Sequence, residues 1–200
     1  MNTTIDNLRH GIQDSITTKQ KMLADERLLG MVATVIDVIV AALERGNRVL
    51  FAGNGGSAAD AQHLAAEFVS RFEFDRPGLP ALSLSTDTSM LTAIGNDYGY
   101  DKLFVRQLQA QAREGDVFVG ITTSGKSRNV LAAFEACRSA KVTSVALCGL
   151  GGELEDKVDH VIRAPSSHTP RIQECHIVIG HMICAEAEMR LFGHLAPEKA

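Results

Sequence analysis

Apolar positions change their period along this chain. From about Thr3 to Leu29, Leu8, Ile12, Ile16, Met22 and Leu23 recur at roughly helical spacing in an otherwise polar stretch. A second segment, "LLGMVATVIDVIVAALERG", is more apolar and ends at Gly46, which predicts a helix closed by a glycine C-cap. Short apolar runs of β-type composition then take over: "NRVLFAG", "ALSLS", "DVFVGITTS", "TSVALCG" and "HVIRAP". Helical stretches separate most of them, over about Ala58 to Phe72, Ser89 to Ala112, Asn129 to Ala140 and Ile172 to Phe192. Short apolar strands alternating with helices specify a parallel sheet covered on both faces. The expected fold is a three-layer α/β/α sandwich with a five-stranded parallel sheet, preceded by N-terminal helices.

Composition narrows the function classes. A chain of 200 residues, 45% apolar and 22% charged, is expected to form a single soluble domain. A net charge of −4 gives no electrostatic case for nucleic acid. The polar start "MNTTIDNLRHGIQDS" has no signal-peptide core, and no apolar run reaches the roughly 18 residues of a membrane span. A cytoplasmic protein is expected. Cys137, Cys148, Cys175 and Cys184 form no CxxC pair and read as reduced, mostly buried thiols.

In parallel sheets, ligands sit beyond the carboxyl ends of the strands, and the conspicuous loops fall there. "GNGGS" supplies Gly53, Gly55 and Gly56 for close backbone approach, and Ser57 stands near a helix start whose free amides favour an anion. "TTSGKS" sets the hydroxyls of Thr122, Thr123, Ser124 and Ser127 around one glycine, a donor cradle for a phosphate ester. A capped helix start needs only one such hydroxyl. The stretch "GITTSGKS" also satisfies the P-loop pattern, but no strand ends in the aspartate that a nucleotide-bound magnesium needs. His63 and Glu67, four residues apart, share one helix face beside the glycine loop. Gln173, His176 and His181 interrupt the last, mostly apolar helix.

Taken in order, "GNGGSAADAQHLAAEF", "RPGLPA", "AIGNDYGY", "EGDVFVGITTSGKS" and "RIQECHIVIGH" resemble the sugar isomerase (SIS) domain. Within that family they are most similar to the sedoheptulose 7-phosphate isomerases, also called phosphoheptose isomerases. The resemblance runs from about Asp25 to Phe192. It implies a homotetramer with active sites at subunit interfaces, and residues 1–46 as a helical segment used in oligomerisation. The reaction it implies interconverts sedoheptulose 7-phosphate and D-glycero-D-manno-heptose 7-phosphate, the first step toward activated heptoses of lipopolysaccharide or capsule. The implied substrate contacts are Asn54, Gly55, Gly56, Ser57, Asn96, Asp97, Thr122, Thr123, Ser124, Ser127 and Gln173, with Glu67 and His181 as catalytic residues. The implied zinc ligands are His63, Glu67, Gln173 and His181. Thr122 stands where a serine is common, and Pro170 where some members carry an acid. The alternative is a non-catalytic SIS protein that binds a phosphosugar or a replication initiator. The binder of the initiator resembles this pattern with asparagine at the position of His181.

Aldose–ketose isomerisation needs a base over one carbon and an acid near the carbonyl oxygen. Glu67 is expected as the base and His181 as the proton shuttle. If Gln173 and His181 share one regular helix, eight residues separate them by roughly 12 Å. Convergence on one ion then requires either that the helix begin after Gln173 or that ligands come from different subunits.

Overall fold

A computed structural model describes residues 3–197. Helix α1 spans Thr3–Leu23 and α2 spans Glu26–Glu44. They are separate because Asp25 caps α2, its carboxylate accepting from the Leu28 amide at 3.0 Å. At the far end, Asn47 N–H reaches Ala42 O and Gly46 N–H reaches Leu43 O, a Schellman closure around the expected glycine.

Five strands follow: β1 Val49–Gly53, β2 Ala81–Ser83, β3 Val117–Thr122, β4 Thr143–Cys148 and β5 His160–Arg163. All neighbouring pairs are parallel, in the order β2-β1-β3-β4-β5. The helices between and after them are α3 Gly56–Val69, α4 Thr88–Tyr98, α5 Leu103–Gln111, α6 Arg128–Ala140 and α7 Thr169–Phe192. The inner strands β1, β3 and β4 are buried on both faces, and their residues alternate between two cores. Val49, Phe51, Val119, Ile121 and Leu147 pack with α2, α3 and α7. Leu50, Ala52, Phe118 and Ala146 pack with α5 and α6. The three-layer sandwich with its parallel sheet stands as expected, and all four cysteines are free and buried.

One expected element is corrected. The helix foreseen over Ser89 to Ala112 is two helices joined by a 3-10 turn over Tyr100–Lys102. The break falls at Gly99, whose φ of 84° with ψ of 161° cannot continue a helix.

The strand order places the site. From β1 the chain turns to β2 on one side, then returns to β3 on the other. The crevice between β1 and β3 is therefore the switch point where open α/β sheets bind ligands. Gly53 pairs with Ile121 at that edge, so both candidate loops leave the sheet side by side.

Candidate active site

The first half of the site is built from backbone. Gly55 precedes α3 with φ 55° and ψ −123°, a conformation closed to residues with a side chain, and no side chain caps the helix. The next amides are used inside the turn, Ser57 N–H donating to Asn54 O and Ala58 N–H to Gly55 O, both at 3.0 Å, so an anion at this end meets the glycine backbone and the positive end of the helix dipole. A Cβ on Gly56 would lie 2.3 Å from the Gln173 side-chain nitrogen, so glycine there admits Gln173 to the loop.

The hydroxyl loop is not an ordinary helix cap. Ser127 occupies the N-cap of α6 without capping it; its hydroxyl lies 2.9 Å from Thr122 Oγ1. Ser124 Oγ accepts from the Lys126 amide at 3.2 Å, which folds the loop back on itself. The P-loop reading fails on placement. Gly120 and Ile121 lie inside β3, and a Cβ on Gly120 would overlap Phe134 at 2.5 Å. The first glycine of the pattern is a sheet residue packed on α6, not the start of a phosphate loop.

Asn54 joins the two loops. Its amide exchanges hydrogen bonds with the buried Asn129 at 2.9 and 2.8 Å, and its Oδ1 also accepts from the Tyr100 hydroxyl at 2.8 Å. Ser85 holds Gly53 from the other side, accepting from its amide and donating to its carbonyl. Beside this network opens a cavity of about 300 Å³ lined by Gly53, Asn54, Gly55, Ser85, Tyr100 and Phe104. Asn129, Tyr100 and Ser85 had no distinguishing sequence signal, because their partners are 32 to 75 residues away. Ser57 is buried in the first turn of α3. Asn96 and Asp97 lie exposed in the last turn of α4, bonded to each other at 2.8 Å.

The second half is a cluster of side chains on α3 and α7. Nε2 of His63 lies 2.9 Å from Nε2 of His181 and 3.3 Å from Oε1 of Glu67. Ligand atoms of all three residues lie within 4.8 Å of one another. The helices approach closely because Gly180 precedes His181; a Cβ there would strike Leu64 at 2.5 Å. Phe72 walls one side, its ring centroid 5.3 Å from that of His181.

These three residues form a group able to hold a metal ion. Donors about 2.0–2.1 Å from a tetrahedral zinc lie roughly 3.3 Å apart, matching the His63–Glu67 and approximating the His63–His181 separations. Two imidazoles and a carboxylate are nitrogen and oxygen donors of the kind a divalent transition-metal ion takes. Asp60, one turn before His63, has its carboxyl pushed up to about 6 by burial, against the opposing pull of His63.

Gln173 is not part of the cluster within one protomer. Helix α7 runs unbroken from Thr169 to Phe192, with Pro170 in its first turn. The option that this helix begins after Gln173 is therefore overturned, and Gln173 lies against Gly56 instead.

A buried ion pair fixes the two helices that carry the cluster. Arg76 and Glu188 are 1% and 0% exposed, and Arg76 Nε donates to Glu188 at 2.9 Å. The same guanidinium donates to the carbonyls of Glu67 and Phe68 at 2.9 and 2.7 Å, closing the end of α3. Glu188, two turns beyond His181 on α7, also accepts from the amides of Phe72, Glu73 and Phe74. This carboxyl is held below its usual range: the backbone amides and Arg76 outweigh the cost of burial. No sequence reading singled out this pair, although "RPGLPA" contains Arg76.

Comparison with known proteins agrees with this architecture. The SIS domain model matches residues 13–149. A phosphoheptose isomerase of Aneurinibacillus thermoaerophilus is 56% identical over 188 residues, covering 94% of this chain and 95% of that one. Phosphoheptose isomerase 2 of Campylobacter jejuni is 55% identical, covering 90% of each chain. The structure of phosphoheptose isomerase GmhA from Neisseria gonorrhoeae superposes with a TM-score of 0.86 at 38% identity, covering 92% of this chain and 98% of that one. The chain belongs to the SIS domain family, among its phosphoheptose isomerases.

Proposed function

We propose that this isomerase interconverts sedoheptulose 7-phosphate and D-glycero-D-manno-heptose 7-phosphate through an enediol. The observation that carries the reading is the meeting of Glu67, His63 and His181. The glycine backbone before α3 and the hydroxyls of Thr123, Ser124 and Ser127 anchor the phosphate. Glu67 takes the proton from the carbon next to the carbonyl and returns it to the neighbouring carbon. His181 moves the proton between the two oxygens. A zinc ion held by His63, Glu67 and His181 would polarise the carbonyl and stabilise negative charge on the enediolate.

The spacing of the two halves favours a shared site. Gly56 and Glu67 are eleven residues apart on α3, about 16 Å along its axis. Gln173 lies against Gly56 and, on the same unbroken helix, roughly 12 Å from His181. One substrate accordingly takes its phosphate contacts from one protomer and its base from another. In that arrangement Gln173 of one subunit would be the further ligand to a zinc ion held by the cluster of the next. Ile5, Leu8, Ile12 and Ile16 support it: they form an exposed apolar stripe on α1, 43% to 63% accessible, of the kind a helix buries against another copy. The assembly is a homotetramer, cytoplasmic, serving heptose synthesis for lipopolysaccharide or capsule. Among the described residues no helix is long and apolar enough to cross a membrane.

A coupled assay with sedoheptulose 7-phosphate, run with chelator and then with added zinc, tests the reading. Turnover lost to chelator and restored by zinc is expected. Absence of conversion under every metal condition would leave a binding protein.

A further inference from the structure

The hydroxyl loop is not held by its internal hydrogen bonds alone. Its far side rests on a second glycine loop, residues 149–152, at distances that leave no room for side chains. A Cβ on Gly125 would lie 2.5 Å from Gly151 O, and one on Gly152 would lie 2.6 Å from Gly125 O. The two loops are also bonded, Gly149 N–H donating to Thr123 O at 3.1 Å. Any shift of the second loop is therefore passed directly to Thr123, Ser124 and Gly125.

The second loop is in turn held by one side chain. Arg163, the last residue of β5, donates to the carbonyls of Gly149 and Gly151 at 3.0 Å and of Gly152 at 2.9 Å. Its Nε and Nη2 also grip Glu155 Oε1 at 2.9 and 2.7 Å. Glu155 is held below its usual pKa, chiefly by that hydrogen bond to Arg163. Three carbonyls and a carboxylate thus converge on one planar guanidinium, a geometry that an ammonium cannot reproduce.

We infer that Arg163 is a positioning residue for phosphate recognition: by clamping residues 149–155 it sets the shape of the hydroxyl loop, without touching substrate. The inference rests on the reading of that loop as the phosphate cradle. It assigns a cost to binding and not to proton transfer, because the loop between β3 and α6 carries the phosphate contacts, whereas Glu67 and His181 stand on α3 and α7.

The test is steady-state kinetics on Arg163→Ala and Arg163→Lys, with inorganic phosphate as a competing inhibitor. In Arg163→Ala, KM and the phosphate inhibition constant should rise together by about tenfold, with kcat within about twofold. Millimolar guanidinium should recover part of the loss in Arg163→Ala. Arg163→Lys, which keeps the charge and the bulk of the side chain, covers the case that alanine fails to fold; it should show the same rise, smaller. A folded variant of either kind with KM and phosphate inhibition unchanged overturns the inference, as does a fall in kcat alone. Ser124→Ala, assayed alongside, separates the two readings. If it leaves phosphate inhibition unchanged, the cradle itself is misplaced; if it weakens inhibition while Arg163→Ala does not, only the clamp is wrong.

Discussion

Replacing Glu188 by alanine tests how the two helices bearing the cluster are held. The side chain is fully buried and accepts four hydrogen bonds, from Arg76 at 2.9 Å and from the amides of Phe72, Glu73 and Phe74 at 2.8, 2.6 and 3.3 Å. Its removal leaves a buried guanidinium without its counter-charge and three amides without an acceptor. Breaking a buried pair from one side costs about 3–5 kcal/mol, a large fraction of the roughly 5–15 kcal/mol that holds a domain folded. For a chain of this size that lowers Tm by about 10 °C. Thermal unfolding followed by circular dichroism, with urea titration for the free energy, measures the change. The double variant Glu188→Leu with Arg76→Met, which removes both charges, should recover much of the loss. Because the Glu188 carboxyl is depressed in the fold, its contribution is present above the ordinary carboxylate range near pH 4. It is lost as pH falls through the lower folded value. A Glu188→Ala protein within about 0.5 kcal/mol of the parent would refute the cross-tie.

Further expectations follow from other parts of the molecule. His176 is 1% exposed on α7, and burial holds its imidazole at about 4. The unfolded chain therefore binds the extra proton between about pH 6.5 and 4. Stability should fall by as much as about 3 kcal/mol across that window, and His176→Leu should flatten the slope in urea titrations at successive pH values. Gly180→Ala should push α7 away from Leu64 and weaken the affinity for added zinc proposed for the His63–Glu67–His181 group, read by competition with a chromophoric chelator; unchanged affinity would show that the close approach is unnecessary. A folded variant with Ile5, Leu8, Ile12 and Ile16 changed to polar residues should sediment as a smaller species and lose turnover. Full activity in a monomer would exclude a shared site.

The sheet was legible because its strands are short apolar runs, the inner three buried on both faces, so periodicity and composition agree. His63 and Glu67 were legible for a similar reason: four-residue spacing puts them on one helix face whatever the tertiary structure. That His181 meets them was carried by resemblance, since it lies 118 positions further along the chain and the helices meet through tertiary contacts such as Gly180 on Leu64 and Arg76 with Glu188. Arg76 with Glu188, and Asn54 with Asn129, escaped notice because an ordinary-looking charge or amide acquires its meaning from a distant partner. The break at Gly99 was missed for the opposite reason: the flanking helical pattern is strong, and one positive-φ glycine overrides it.

Proton exchange at the reacting carbons tests the central claim most directly. Sedoheptulose 7-phosphate is incubated in D₂O with the parent protein and with Glu67→Gln, and deuterium at C1 of the ketose and C2 of the aldose is followed by NMR. The account predicts incorporation by the parent and none by the variant, with inorganic phosphate still competing for both. Incorporation by Glu67→Gln at the parent rate would contradict it, and would place the base outside the group formed with His63 and His181.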